Sequence, residues 1–339
     1  MMDTQPTREA SHSVALVACM RNEGPFVVEW LAYHRGLGFQ EILVFTNSCT
    51  DGSDLLLDRL NQRGLVTHIR QVPPLGKSPQ INAMEIAFQH PKVLGCEWLM
   101  HIDADEFFYI EVGKGQISDI IDAVGPADVI AFAWKIFGKN GHGWWDGGNV
   151  LTTFTRSQGQ PMRRCVDHKS LFKHGKFLFA TDHMPKGPKD RNIVVRNTAG
   201  DELQTRSLER NNTRSRYKIP FRQVVFTNAC LNHYALKTDD IFLMKNDRGD
   251  GKGHVGHTRY FHEGQFHRRF DRNEHEDRAI LARWPEVETE IAALLADDET
   301  RRLNDACLAA YIERRDKVFT PEQIAAWTAS PDESEDTTP

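Results

Sequence analysis

The sequence has few cysteines, and no two of them are closely paired. Its 339 residues include six cysteines without any Cys-x-x-Cys spacing. Zinc knuckles and dithiol redox centres depend on such pairs, so free thiols in a reducing compartment are the expected state. The six are Cys19, Cys49, Cys96, Cys165, Cys230 and Cys307.

Long apolar runs are also missing. No stretch approaches the ~20 apolar residues that cross a bilayer. The first dozen residues are polar and lack the apolar core of a signal peptide. We therefore expect a cytoplasmic protein without a transmembrane segment, for which any membrane contact is peripheral.

Neither sign of charge is in large excess. Lys and Arg number 42 against 47 Asp and Glu, which gives a net charge of −5. This balance provides no basic field for a nucleic-acid partner. Gly-x-Gly-x-x-Gly and Gly-x-x-x-x-Gly-Lys-Ser/Thr loops are absent too, which argues against an ordinary dinucleotide or P-loop site.

Apolar, β-prone segments alternate with amphipathic segments through the first hundred residues. Such alternation predicts an α/β fold with a doubly wound, mainly parallel sheet flanked by helices. The predicted strands are 14–20, 41–46, 66–71, 98–102, 128–137 and 150–156. The predicted helices are 26–37, 54–63, 80–89 and 117–124, with a C-terminal group at 278–284, 286–296 and 299–315.

The same reading divides the chain into four parts. We expect a polar tail (1–12), a main domain (13–250), a mainly helical extension (251–329) and a disordered acidic tail (330–339). Within the main domain, residues 163–216 are rich in basic side chains and short of apolar runs. Loops and short antiparallel strands are expected there.

Two aspartates directly follow the fourth predicted strand. Asp103 and Asp105 come after an apolar run and are followed by Glu106. In an extended chain alternate residues share a face, so both carboxylates would point the same way and Ala104 the opposite way. The carboxyl ends of parallel strands are where α/β sheets bind ligands. A divalent cation, Mn²⁺ or Mg²⁺, would relieve the repulsion between the acids; the alternative is that they begin a solvated loop.

Further motifs appear in a fixed order around this pair. Together they resemble GT-A nucleotide-sugar glycosyltransferases, similar to the family 2 and family 92 group, over about residues 14–250. The motifs are Arg21-Asn22-Glu23, Glu29-Trp30, His34-Arg35-x-Leu37-Gly38, Asn47-Ser48-x-Thr50-Asp51-Gly52-Ser53, Asp103-Ala104-Asp105-Glu106-Phe107, Phe137-Gly138, His233-Tyr234, Lys237-Thr238, Phe242, Lys245 and Arg248-Gly249.

The resemblance implies a GT-A-like fold and a metal-dependent hexosyl transfer, with inversion, from a nucleotide sugar to a hydroxyl of a carbohydrate or other acceptor. It implies that Asp103 and Asp105 hold the metal on the diphosphate, with Asp105 as the direct ligand and Asp103 nearer the ribose, and that His233 binds the metal or the diphosphate. The implied nucleotide-sugar ligands are Arg21, Asn22, Glu23, Asp51, Lys77, Asp103, Lys245 and Arg248. A role in polysaccharide assembly follows by family analogy alone.

The pattern leaves the catalytic base open. Three carboxylates are candidates for taking the proton of the acceptor hydroxyl, namely Asp146, Asp167 and Asp182. Three further side chains are candidates for the acceptor site, namely Trp144, Trp145 and His183. The two tryptophans would either stack on a sugar ring or anchor their long glycine-rich loop.

A histidine-rich stretch follows the last motif. Its histidines lack a regular metal-ligand spacing, so a polar loop is favoured over a metal site. They include His254, His257, His262 and His267.

Two other functions compete with glycosyl transfer. In a metal-dependent phosphohydrolase, Asp103 would be the nucleophile and Asp105 the acid. Those enzymes usually carry the pair near the start of the chain, whereas three predicted strand–helix units precede it here. A non-catalytic sugar-binding module is the second alternative.

Overall fold

The computed structural model describes residues 12–212, 219–249 and 259–328. The described strands, in chain order, are β1 (Val14–Met20), β2 (Glu41–Thr46), β3 (Thr67–Arg70), β4 (Trp98–His101), β5 (Glu106–Ile110), β6 (Val129–Ile136), β7 (Arg156–Ser157), β8 (His168–Lys173), β9 (Phe177–Ala180), β10 (Pro185–Pro188), β11 (Val195–Asn197), β12 (Glu202–Leu203), β13 (Ala229–His233) and β14 (His275–Glu276).

The described α-helices are α1 (Gly24–Arg35), α2 (Ser53–Gln62), α3 (Pro79–Ala87), α4 (Pro91–Leu94), α5 (Ile117–Val124), α6 (Val150–Thr153), α7 (Asp239–Leu243), α8 (Lys245–Arg248), α9 (Gln265–Phe270), α10 (Trp284–Leu295), α11 (Asp298–Val318) and α12 (Pro321–Thr328). None of these described helices is both long enough and apolar enough to cross a membrane.

A central sheet organises the described chain. Its order is β12-β11-β6-β8-β4-β1-β2-β3, and β13 pairs with β6 and β5. Strands β3, β2, β1 and β4 are mutually parallel, and β6 is parallel to β11 and β13. Strand β8 runs antiparallel to both of its neighbours, β4 and β6. The predicted α/β class with a mainly parallel sheet is confirmed.

Strand β1 forms the middle of this sheet because it is apolar on both faces. Leu16 and Ala18 pack into one core and Ala15 and Val17 into another. Successive side chains of a strand point to opposite faces, so a wholly apolar strand must be covered on both sides. Helices α1, α2, α10 and α11 pack together, and α3 lies against β1.

The C-terminal helices α10 and α11 dock on α1 and α2. Arg35 on α1 pairs with Glu290 at 2.7 Å, and Arg59 on α2 pairs with Asp297 at 2.7 Å. The helices expected at 286–296 and 299–315 are therefore present. The segment expected at 278–284 is a short 3₁₀ helix over most of its length.

One expectation about local structure is wrong. The segment 150–156 is helix α6 followed by the two-residue strand β7, because the buried Glu29 carboxylate accepts the N–H groups of Val150 and Leu151 at 2.7 and 2.9 Å. The basic region after residue 163 holds short antiparallel strands, as expected, and one of them, β8, lies in the middle of the sheet.

The expectations about the cysteines can be compared with the structure, whereas those about the two tails and two of the histidines concern residues outside the described ranges. All six cysteines lie within those ranges and are free thiols, as expected. The tails expected at 1–12 and 330–339 lie outside them, apart from residue 12, and so do His254 and His257.

Candidate active site

A cavity of about 400 Å³ opens near the carboxyl ends of β1, β4, β6 and β13. Acidic and basic side chains from distant parts of the sequence meet there. Among the predicted site residues, those that line it are Arg21, Glu23, Asp103, Asp105, Asp182, His183, His233, Lys245 and Arg248. The position agrees with the general location of ligands in α/β sheets.

Asp103 and Asp105 lie on a tight turn between β4 and β5, not on an extended strand. The Glu106 side chain closes the turn by accepting the N–H of Asp103 at 2.8 Å. All three residues of the turn line the cavity, and the apolar Ala104 is also part of the hydrophobic core.

Asp103 is held by side chains of the protein itself. Its Oδ1 accepts a hydrogen bond from Gln80 at 2.7 Å, and its Oδ2 lies 3.0 Å from the ammonium of Lys169. Lys169 is fully buried on β8. Burial alone would raise the pKa of Asp103, but Lys169 outweighs it and lowers the pKa below its ordinary value. Asp103 is therefore an ionised acid with an internal counter-ion.

Glu106 has the opposite protonation behaviour. It is fully buried, and burial together with the nearby Asp103 charge raises its pKa well above the ordinary value, despite Lys169 at 3.7 Å. The lysine thus compensates one charge, that of Asp103. A neutral Glu106 serves to close the turn.

Asp105 faces two different partners. Its Oδ1 lies 3.4 Å from Nε2 of His233 at the end of β13, and its Oδ2 lies 3.3 Å from Lys245. The pairing of β13 with β5, and the N–H of Tyr234 bonded to the Asp105 carbonyl at 2.8 Å, bring the histidine to this place. Burial would raise the pKa of Asp105, but Lys245 and His233 lower it well below the ordinary value.

The ligand chemistry of Asp105 and His233 fits a divalent cation. A carboxylate oxygen and an imidazole nitrogen 3.4 Å apart can share one ion whose bonds are about 2.1 Å long. Asp103 fits such a role less well, because both of its oxygens already accept bonds from Gln80 and Lys169. Asp105 and His233 are therefore the residues that could hold the metal.

Two basic side chains, Lys245 and Arg248, also line the cavity. Arg248 donates to the carbonyl of Arg21 at 3.1 Å and pairs with Glu23. Lys245 donates to the carbonyl of Ala235 at 2.7 Å. Burial would lower the pKa of Arg248, but Glu23 raises it, so the guanidinium stays charged. Such a pair of cations suits the oxygens of a diphosphate.

Three predicted nucleotide ligands are placed elsewhere. Asn22 donates to Thr50 Oγ1 at 3.1 Å and accepts from the Thr50 N–H at 2.7 Å. Asp51 accepts the N–H groups of Gly24 and Ser53, each at 2.9 Å. Lys77 pairs with Glu85 at 2.5 Å. None of the three is among the described residues that line the cavity, and the first two hold its neighbouring loops together.

The three candidate bases have different positions relative to the cavity. Asp182 lines the cavity, and its carbonyl accepts a bond from Lys169 at 3.1 Å. Asp167 pairs with Arg269. Asp146 is exposed and accepts the N–H of Gly148 at 3.1 Å, within its own loop.

The candidate acceptor residues are likewise separated. His183 lines the cavity, with its ring 5.6 Å from that of Trp134. Trp145 is buried against Phe26 and a tyrosine of α11, and Trp144 lies 4.3 Å from the guanidinium of Arg315 on the same helix. The two tryptophans thus join their loop to α11 and are not among the described residues at the cavity.

Sequence reasoning missed Lys169, Gln80 and the aromatic rings of the cavity. A lysine inside the apolar, β-prone segment His168–Lys173 is the one signal that could have indicated a buried cation. Nothing local in the sequence connects Lys169 with an aspartate 66 positions earlier.

A second polar cluster lies on the start of α7. Asp239, His262 and His267 could together hold a metal ion, although the sequence favoured a polar loop. The Lys139 ammonium, however, lies 2.7 Å from Asp239 Oδ2, and His267 lies 2.8 Å from Oδ1. The carboxylate therefore already has a cation of the protein beside it.

A mainly parallel α/β sheet thus ends in a cavity of ionised acids and cations. Comparison with known proteins assigns the chain to a family. Residues 15–277 match the model of Glycosyltransferase family 92. Because the match covers most of the chain, the chain belongs to that family.

Curated relatives agree with this assignment. A family 92 protein of Ricinus communis is 36% identical over 107 residues, which are 30% of this chain and 17% of the relative. One of Oryza sativa subsp. japonica is 28% identical over 170 residues, which are 49% of this chain and 28% of the relative. The matches thus span less than a third of these relatives.

Solved structures show a partial likeness. The S. aureus TarS 1–349 structure has a TM-score of 0.31 and 15% identity, and covers 48% of this chain and 47% of that one. The mannosyltransferase PcManGT of Pyrobaculum calidifontis, crystallised with GDP-Man and Mn²⁺, has a TM-score of 0.29 and 18% identity. This match covers 50% of our chain and 48% of PcManGT. The assignment rests on the family model.

Proposed function

We propose that the protein transfers a sugar from a nucleoside-diphosphate sugar to an acceptor hydroxyl, with Asp105 and His233 holding a divalent cation. The observation that carries the proposal is the position of Asp105, an ionised carboxylate inside the cavity with His233 and Lys245 on its two sides. Mn²⁺ or Mg²⁺ is the fitting ion for this pair of ligands.

The charges of the cavity match the chemistry of the leaving group. Breaking the bond between an anomeric carbon and a nucleoside diphosphate leaves negative charge on phosphate oxygens. Lys245 and Arg248 would receive that charge at the cavity wall, with Arg21 near them. A bound divalent cation would add Lewis-acid stabilisation of the same oxygens.

Asp182 is the proposed base. Of the three candidates it is the one that lines the cavity, and its carboxylate lies 3.4 Å from Nε2 of His183. By taking the proton of the acceptor hydroxyl as that oxygen attacks the anomeric carbon, it would support an inverting displacement. Such a base typically contributes about 10² to 10⁴ in rate.

The remaining expectations complete the proposal. In this proposal the catalytic unit, predicted as residues 13–250, also includes Tyr260, Phe266 and Phe270, which line the cavity. The described residues after them hold helices α10, α11 and α12. A cytoplasmic location, peripheral membrane contact and a role in polysaccharide assembly are carried forward from the sequence as parts of the proposal.

A ligand screen tests the donor and the metal. We expect one of UDP-, GDP-, CMP- and TDP-sugars to raise the melting temperature with Mn²⁺ and to do so less after EDTA treatment. Slow release of nucleoside diphosphate, or of CMP from a CMP-sugar, would then mark donor turnover. Release of inorganic phosphate from phosphate esters would support the phosphohydrolase instead, and binding without any turnover would support the sugar-binding module.

A set of three variants tests the base. Asp182→Asn should retain donor binding and lose about 10² to 10⁴ in transfer rate, while Asp146→Asn and Asp167→Asn should not lose rate to this extent. Nucleoside diphosphate release under saturating donor is the measurement. Equal losses in all three variants, or none in Asp182→Asn, would remove Asp182 from this role.

A further inference from the structure

One wall of the cavity is aromatic, and the proposed reaction does not yet use it. Phe266 and Phe270 on α9, Tyr260 before that helix and Trp134 on β6 all line the cavity. Phe266 is 39% exposed, although it is a large apolar side chain. Since exposed rings in a ligand cavity gain stability when a ligand covers them, this wall is a candidate binding surface.

The rings form one continuous surface. Phe266 stacks on Phe270 with ring centroids 4.4 Å apart, and Phe266 and Tyr260 meet edge to face at 5.6 Å. Phe270 in turn lies 5.4 Å from the ring of His233 and 6.4 Å from that of Trp134. Phe266 is thus held by Phe270, Tyr260 and Phe242, and it lines the cavity while 39% of it stays exposed.

The aromatic wall lies towards the proposed base. In the sheet, β1 and β2 are on one side of β4, whereas β6 and β13 are on the other. Trp134 of β6 contacts His183, the neighbour of Asp182, at 5.6 Å. Arg21 follows β1 on the opposite side of the acidic turn. Through Phe270 and Trp134 the aromatic rings therefore connect Phe266 with His183, the residue beside Asp182.

We propose that Phe266, supported by Phe270 and Trp134, forms the acceptor subsite and that the acceptor is a pyranose. A pyranose has an apolar C–H face that covers an aromatic ring and polar hydroxyls at its edge. Charged groups in the same cavity, Asp182 and Arg269, can meet those hydroxyls. This inference rests on the proposed function and assigns its acceptor class, in place of the Trp144 and Trp145 site expected from the sequence.

The test compares two exposed phenylalanines. Phe266→Ala removes the ring at the cavity, and Phe179→Ala removes a ring that is 37% exposed on β9 and is not among the described cavity residues. Transfer from the donor found in the thermal screen to methyl α- and β-pyranosides is measured beside hydrolysis of that donor by water. Glycerol serves as the hydroxyl acceptor without a ring.

The expected result is a rise of about tenfold in the pyranoside KM of Phe266→Ala, with donor hydrolysis and transfer to glycerol unchanged. Phe266→Tyr should restore the KM, and Phe179→Ala should behave as the parent. An unchanged pyranoside KM in Phe266→Ala overturns the inference. A raised KM for the donor instead would assign the ring to the donor sugar, which also overturns it.

A binding measurement separates this inference from the proposed function. Saturation-transfer NMR with methyl pyranosides reports binding without turnover, and Phe266→Ala should lose the signal that the parent and Phe179→Ala retain. If the parent neither hydrolyses nor transfers any donor, the proposed function fails. Pyranoside binding that survives Phe266→Ala overturns the subsite whatever the turnover.

Discussion

The two aspartates of one turn have opposite surroundings. On one side, Asp103 accepts 2.7 and 3.0 Å bonds from Gln80 and from the fully buried Lys169. On the other, Asp105 has longer contacts of 3.3 and 3.4 Å with Lys245 and His233, which both line the cavity. Asp103 is thus part of the fold's own charge balance, whereas Asp105 is placed to exchange its partners for a ligand.

Under the proposed function, the difference implies that the two acids contribute unequally to metal binding. Lys169 comes from β8, which lies between β4 and β6, and His233 comes from β13, which pairs with β5. Asp103 lies next to β8 and contacts Lys169, whereas Asp105 lies next to β13 and contacts His233. The following variants test whether the two sides differ in stability and in ligand binding as this arrangement implies.

The largest effect is expected for Lys169→Met. Removing this fully buried ammonium leaves the partly buried charge of Asp103 without its counter-ion, so the free energy of unfolding should fall by about 3 kcal/mol. Urea unfolding measures this free energy. The double variant Lys169→Met with Asp103→Asn should recover part of the loss, because the uncompensated charge is then gone.

Lys173 provides the matched control on the same strand. It is partly exposed and lies 3.5 Å from Glu97, so Lys173→Met should change stability by no more than about 1 kcal/mol. A Lys169→Met variant as stable as Lys173→Met would show that Asp103 does not depend on its internal counter-ion.

The next effect concerns ligand binding and separates the two acids. Asp105→Asn should weaken Mn²⁺-dependent binding of the nucleoside diphosphate by about 100-fold, because it removes an anionic ligand of the cation. Asp103→Asn should weaken it less, since Lys169 and Gln80 already engage both oxygens of Asp103. Titration calorimetry with and without Mn²⁺ measures both. Equal losses would mean that the two acids bind the cation together.

A smaller loss of affinity is expected for His233→Ala. Its imidazole supplies one nitrogen ligand and leaves the carboxylate of Asp105 in place, so binding should weaken by about tenfold while turnover falls further. Kinetics of nucleoside diphosphate release separate the KM from kcat. Unchanged turnover would place His233 outside the reacting centre.

The smallest effect is a dependence of stability on pH on the Asp103 side. Burial lowers the pKa of His101, which lies 3.4 Å from Lys169, to about 4. Between pH 7 and 6 the unfolded chain binds more protons than the folded one at this residue. Lowering the pH from 7 to 6 should therefore reduce the free energy of unfolding, and this histidine should contribute about 0.7 kcal/mol of that reduction.

His101→Gln should reduce this slope by the same amount in unfolding experiments at several pH values. The buried His34 and His168 have pKa values lowered to about 3 and about 4, so they contribute in the same direction and the parent slope should be steeper than that of one histidine. A slope that His101→Gln leaves unchanged would show that His101 is not held neutral.

Much of the first half of the fold was predictable because its signals are local. The segment 14–20 is apolar at nearly every position and could only be a strand covered on both faces. The amphipathic 54–63 and the apolar 98–102 likewise differ from the true elements by a residue or so. Asp103 and Asp105 were predictable for the same reason, since the strand that leads to them is adjacent in sequence.

The rest depended on contacts between distant segments. Helix α6 forms where a strand was expected because Glu29 meets its first N–H groups from 121 positions away. Phe266, and not Trp144, reaches the cavity because α9 folds back beside His233. No short-range pattern carries this information.

By itself, the sequence determined the alternation of strands and helices and the place of the acidic turn at the end of a strand, since side-chain periodicity acts over a few residues. Only the tertiary structure decided that Asp103 pairs with the buried Lys169 and that Asp105 lies beside Lys245 and His233. The reason is electrostatic: the charge state of Asp103 and Asp105 depends on Lys169, Lys245 and His233, whose positions are set by the pairing of strands far apart in the chain.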